Sequence, residues 1–196
     1  MLLSLTGASG AGKSTALDRL TSTAWPVPVS LVEFDSIGVP EGADTAWRHR
    51  TIEHWVREAV AEQADGGHLL LCGQVPMGEL LAAPSADLLD GISICVLHCS
   101  PETRTRRLLH RGEHPDAIVH HNRFGEWFLA HTLDPTHAPE VIRTDGDPTM
   151  RWSRWSDWSA GDPRWRATII DTDTLTPQES ASAVEEWARS ELAPII

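Results

Sequence analysis

The sequence has no tyrosine, three phenylalanines and three cysteines in 196 residues. Cys72, Cys95 and Cys99 form no CxxC pair and leave an odd count, which is no disulfide framework. Two of them lie in apolar runs that look like core strands, so we expect buried, reduced thiols, as suits a reducing cytosol. Positive charge is also scarce. Sixteen Lys and Arg face 28 Asp and Glu, giving a net charge of −12 and a pI near 5.2. Such a chain is a poor partner for nucleic acid or an anionic membrane surface. No apolar run is long enough to span a bilayer. The N-terminus lacks a basic stretch and its apolar run is too short for a signal peptide, so we expect a cytoplasmic chain. Nine tryptophans stand against the missing tyrosines.

What is present begins at once. Gly7-Ala8-Ser9-Gly10-Ala11-Gly12-Lys13-Ser14 fits G-x-x-x-x-G-K-[ST], the Walker A or P-loop pattern. The short apolar run Leu2–Thr6 before it reads as a buried strand. After it, Leu17 and Leu20 recur at helical spacing from Thr15 onward. Glycines let backbone N–H groups approach phosphate oxygens, and a helix N-terminus adds unpaired donors. The motif therefore assigns Gly7, Ala8, Ser9, Gly10, Ala11, Gly12, Lys13, Ser14 and Thr15 to a nucleotide. Lys13 reaches its β- and γ-phosphates, and Ser14 offers a hydroxyl to Mg²⁺.

The remaining chain alternates strand and helix signals. Val29–Asp35 reads as a strand ending in a carboxylate, and Thr45–Ala64 as an amphipathic helix. His68–Cys72 is a continuous apolar run, as a parallel strand buried on both faces requires. Ile92–His98 is another strand. Ser100-Pro101 opens a helix to about Arg111, and 122–132 is helical. Met150–Trp158 reads as a short helix, Arg166–Asp171 as the last strand, and Thr176-Pro177-Gln178-Glu179 as a capping box opening the final helix. This order predicts a three-layer α/β/α sandwich with a parallel sheet, in one domain of residues 1–196. Ligands should gather beyond the carboxyl ends of the strands, where Asp35, Gly73-Gln74, Ser100 and Asp171 fall.

On these residues the chain resembles the P-loop kinases of small molecules: nucleoside and nucleotide kinases, gluconate and shikimate kinases, and chloramphenicol phosphotransferase. The P-loop lies at the N-terminus. Asp35 ends a strand where these kinases keep an acidic acceptor-site residue. Arg107-Leu108-Leu109-His110-Arg111 matches the R-L-x-x-R run before their lid. Ile170-Asp171-Thr172 and the capping box match the strand and helix whose connecting loop borders adenine. The resemblance implies a Mg²⁺-dependent, ATP-using phosphotransferase. It places an acceptor-binding helix region at 36–64 and a lid at 112–131. Asp35 would serve as general base or hold a Mg²⁺-bound water. Glu33, on the same strand face, and Gln74 would join the acceptor, as would Trp47 and Arg48 on the following helix. Arg107 and Arg111, on one helix face with Arg104, would neutralise charge on the transferred group.

There are departures. Gly73-Gln74 stands where a Walker B aspartate would follow the third strand, and no N-K-x-D motif is present, which argues against motor ATPases and GTPases. His110, His114, His120 and His121 lack zinc-ligand spacing and suit a polar lid. Trp152, Trp155, Trp158 and Trp165 read as packing. The expected function is γ-phosphoryl transfer from ATP to a hydroxyl of a small molecule, because Asp35 and Glu33 disfavour an anionic acceptor. Arg48 and Arg50 pull the other way, so a nucleotide kinase stays open, as does a nucleotide-binding switch with little turnover.

Overall fold

A computed structural model describes residues 1–193. Five parallel strands form one sheet: β1 (Leu2–Thr6), β2 (Val29–Glu33), β3 (His68–Cys72), β4 (Ile92–His98) and β5 (Thr168–Asp171), in the order β2-β3-β1-β4-β5. The central strand is β1, buried along its whole length. Seven helices connect and cover the sheet. They are α1 (Lys13–Leu20), α2 (Thr45–Ala64), α3 (Met77–Ala82), α4 (Pro101–His110), α5 (Pro115–Leu133), α6 (Glu140–Arg143) and α7 (Pro177–Leu192). Among the described residues none is long and apolar enough to cross a membrane.

Alternate residues of each strand face opposite layers. Leu3, Leu5, Leu70, Cys72, Cys95 and Leu97 pack with α1 and α7. Leu2, Leu69 and Leu71 face the other way, onto Ile52, Trp55, Val56 and Ala59 of α2. Beside them Ile94 and Val96 meet a third cluster of Trp127, Phe128, Ile142, Trp155 and Trp165. The expected three-layer α/β sandwich is therefore the observed fold. All three cysteines are free and buried, as expected.

Local expectations fail where tertiary packing overrides pattern. The second strand stops at Glu33, and Phe34–Ile37 forms a 3-10 turn that carries Asp35. No helix forms over 150–158, only the 3-10 turn Trp152–Arg154. Two indoles of this region are held by the core instead: Trp155 Nε1 donates to the Gly78 carbonyl (2.8 Å) and, further on, Trp165 Nε1 to the Thr132 carbonyl (3.0 Å). The last strand begins at Thr168 rather than Arg166. Two short helices, α3 and α6, have no counterpart in the sequence reading.

The segment expected as a lid divides in two. His114 caps α5, accepting from the Asp116 N–H, and Pro115 takes the first helical position. From Ile118 onward α5 is anchored in the body by Ile118, Trp127, Phe128, His131 and Thr132, and Asn122 Nδ2 donates to Thr105 Oγ1 at 3.0 Å. The Arg104 guanidinium lies directly beneath Gly125, where any larger side chain would collide with it.

Candidate active site

The main cleft, about 640 Å³, opens beyond the carboxyl ends of the strands. Its two ends are built differently.

One end is the P-loop. Gly7 leaves β1 with φ 138°, so close to β4 that a Cβ would collide with the Leu97 carbonyl. Gly12 sits at φ 99°, a left-handed conformation that lets the loop turn directly into α1. Ser9 through Thr15 line the cleft. Gly7 and Ala8, assigned to the nucleotide by the motif, lie behind the loop, where both are buried. Ala8 contributes its carbonyl, which accepts from Lys13 Nζ at 3.0 Å. Burial lowers the Lys13 ammonium from the usual 10.5 to about 8; the nearby Cys72 and Asp35 oppose this and Arg111 adds to it. A desolvated cation beside converging backbone N–H groups and the start of an eight-residue helix is a donor set for a polyphosphate. Ser14, exposed at that helix start, has the hydroxyl a phosphate-bound Mg²⁺ requires.

Arg107 clamps this end. Its guanidinium donates to the Thr172 hydroxyl (2.9 Å), the Thr172 carbonyl (2.7 Å) and the Gly10 carbonyl (3.3 Å). The Thr172 hydroxyl in turn lies 2.9 Å from the His98 carbonyl and 3.1 Å from that of Ala11. The P-loop and the turn after β5 are thus tied through one side chain. Arg111 and His110 line the cleft with exposed side chains. Arg104 does not join them. It is 1% exposed and donates to the Cys99 carbonyl at 3.0 Å, so the three arginines do not share one cleft-facing row.

The other end is made of side chains. Glu33 at the tip of β2 and Asp35 in the following turn both line the cleft and both are exposed. The turn that carries Asp35 is pinned from below, because Trp55 Nε1 on α2 donates to the Phe34 carbonyl at 3.0 Å. Gln74 enters from the exit of β3 and accepts from Ser9 Oγ at 3.1 Å. That exit is fixed to β1, since the Val75 N–H donates to Thr6 Oγ1 (3.0 Å) and Thr6 Oγ1 to the Val75 carbonyl (2.8 Å). Cys72 lies on the cleft floor, its thiol pushed up to about 12 by burial, which keeps it protonated.

Two residues expected at the acceptor do not line the cleft. Trp47 packs edge-on against Phe34, ring centroids 5.9 Å apart. Arg48 turns instead to Glu79, donating through Nε (2.8 Å) and Nη2 (2.5 Å) to Oε1. Sequence reasoning missed this lock. Glu79 is fully buried on α3, and buried His49 reaches it with Nε2 at 3.0 Å. The Asp147 N–H donates to His49 Nδ1, so the ring proton sits on Nε2, between Glu79 and the Ile142 carbonyl (2.9 Å). The available signal was a lone acid within the apolar stretch 77–83. Among the described residues no group of three His, Cys, Asp or Glu could hold a metal by itself. None of Trp152, Trp155, Trp158 and Trp165 lines the cleft; all four pack together against Ile94 and Val96 of β4.

Comparison of the sequence with protein-family models finds no match, and comparison with curated proteins finds none. Solved structures do resemble it. A sugar kinase from Janibacter sp. HTCC2649, unliganded, shares 14% identity over 95% of this chain and 93% of that one, at TM-score 0.57. Shikimate kinase from Acinetobacter baumannii, in complex with shikimate, shares 13% over 97% and 93%, at TM-score 0.51. An uncharacterized protein from Eubacterium ventriosum shares 10% over 97% and 98%, at TM-score 0.54. At such identities the likeness is one of fold: this chain has the α/β fold that the two kinases have.

Proposed function

We propose that this protein is an ATP-dependent, cytoplasmic kinase of a small molecule, transferring the γ-phosphoryl group to a hydroxyl. One observation carries the reading. A single cleft joins a phosphate cradle with a desolvated lysine to a pair of carboxylates at the adjacent strand end.

The roles follow from that arrangement. Loop N–H groups from Ser9 to Ser14 and the Lys13 ammonium hold the triphosphate. Mg²⁺, held at the Ser14 hydroxyl when bound, would neutralise charge on the β- and γ-oxygens. Arg111, free at the cleft edge, adds positive charge as the phosphoryl group moves. Arg107 acts differently from the expectation: it holds the loop and the turn at Thr172 in fixed relation, and so positions the nucleotide. Asp35 takes the proton as the acceptor oxygen attacks; the new O–P bond forms while the bond from Pγ to the bridging oxygen breaks, and ADP leaves with that electron pair. Residues 112–117 are the part of the expected lid left to close over the site and exclude water.

The test is acceptor-dependent ADP release, screened across nucleosides, nucleotides, sugars and hydroxylated antibiotics. A kinase accelerates sharply with one class. ADP release indifferent to every acceptor, with nucleotide binding intact, would leave a nucleotide-binding switch.

A further inference from the structure

We propose that the acceptor is a hydroxyl compound carrying a protonated amine, an amino alcohol or amino sugar, with Glu33 receiving the ammonium while Asp35 receives the hydroxyl proton. The inference rests on the kinase reading above and adds the charge of its substrate.

It comes from a charge census of the acceptor end. On α2, the helix that follows Asp35, the basic residues that could have welcomed an anion are all engaged elsewhere. Arg48 is forked onto buried Glu79. Arg50 pairs with Asp147 at 3.6 Å, and Arg57 with Glu53 at 2.7 Å. Every arginine of α2 therefore has a carboxylate, and none lines the cleft. Glu33 and Asp35 line it, and neither has a salt-bridge partner among the described residues. The loop at 36–44 that follows them adds Glu41 and Asp44 and no basic residue. The free cations of the cleft, Lys13 and Arg111, stand with the P-loop, where the triphosphate takes them up. A carboxylate- or phosphate-bearing acceptor would meet two like charges, with no arginine of α2 to offset them and the cleft's cations taken by the triphosphate. An ammonium would meet two opposite ones, and the net charge of −12 would steer it inward.

Transfer balances without any further reactant. The acceptor oxygen bonds to Pγ, the Pγ–O–Pβ bridge breaks toward ADP, and the hydroxyl proton passes to Asp35 and then to solvent. The ammonium is unchanged throughout.

The experiment uses acceptors built on one hexose skeleton: glucosamine, N-acetylglucosamine and glucuronate. Acceptor-stimulated ADP release is measured at fixed Mg-ATP. The amino member should exceed its neutral partner at least tenfold in kcat/KM, with the anionic member silent. Glu33→Gln should narrow that gap to under threefold, mainly through the KM of the amino compound. Equal or faster release with neutral or anionic members would overturn the charge assignment and leave the kinase standing. Release that no acceptor stimulates, with ATP binding retained, would overturn the kinase reading and this inference with it.

Discussion

The two ends of the cleft obey different rules. The phosphate end is made of backbone: N–H groups, a helix start, and a glycine, Gly7, whose place is fixed by the close passage of β4. The acceptor end is made of side chains on a loop, with its positions set by contacts far along the chain: Trp55 beneath Phe34, and Glu79 holding Arg48. A backbone site depends on a short contiguous sequence. A side-chain site depends on what else has been neutralised nearby. That difference is why we propose a particular nucleotide but only a class of acceptor.

The comparison can be broken at its strongest point first. Lys13 is the sole lysine of the sequence, so no neighbouring ammonium can replace it. Lys13→Ala should lower phosphoryl transfer by roughly 10³-fold, with the circular dichroism spectrum of the parent and a Tm no lower, since a desolvated charge is removed. Normal turnover in that variant would end the P-loop assignment.

Asp35→Asn keeps shape and removes the charge at the other end. We expect kcat to fall by about 10²-fold, with ATP affinity within twofold of the parent by calorimetry. A kcat within a few-fold, with a better KM for a phosphorylated acceptor, would point to a nucleotide kinase.

Arg48→Met separates the ends further. Glu79 stays buried with only His49 to meet it, so stability should drop by about 2 kcal/mol, discounted because Arg48 is partly exposed. Chemical denaturation reads the loss. The KM of the acceptor should rise while ATP affinity holds, and equal loss of both would erase the distinction between the ends.

Proton linkage gives a gentler separation. The lysine titrates near 8 in the fold and near 10.5 when exposed, because burial disfavours its charge. Between those values the unfolded chain binds more protons, so stability of the free protein should rise with pH across that window. ATP affinity should move oppositely, falling up to about tenfold per pH unit above 8 as the ammonium is lost. Acceptor affinity measured without nucleotide should not follow that curve.

The smallest effect concerns the lid. On adding ATP with acceptor, amide exchange should slow across 112–117 and stay unchanged across 118–133, which is already packed. Slowing confined to the second half would invert the division.

Much of this was legible in the sequence because it is local. The P-loop, the capping box at Thr176 and the buried run at β3 each carry their own signal within a few residues. Asp35 reached the cleft by another route than the one read: the strand was expected to include it, and a 3-10 turn delivers it. Arg104 and Arg107 show the limit. Helical spacing put them on one face, yet Arg104 is drawn under Gly125 and Arg107 across to Thr172. Spacing fixes where a Cα sits on a helix, while long side chains go where partners are. Arg48 was misplaced for the same reason, since its partner lies 31 residues away on a helix the pattern did not reveal.

The gathering of tryptophans against the face of β4 has an optical consequence. Trp127, Trp155 and Trp165 are sealed in the core, so they should emit in the blue and ignore whatever enters the cleft. Trp47, half-buried and edge-on to Phe34 at the acceptor side, is the indole placed to register an arrival. A small red-edge change riding on a large constant spectrum, and erased by Trp47→Phe, would give acceptor binding a label-free signal in a protein whose brightest groups are deaf to it.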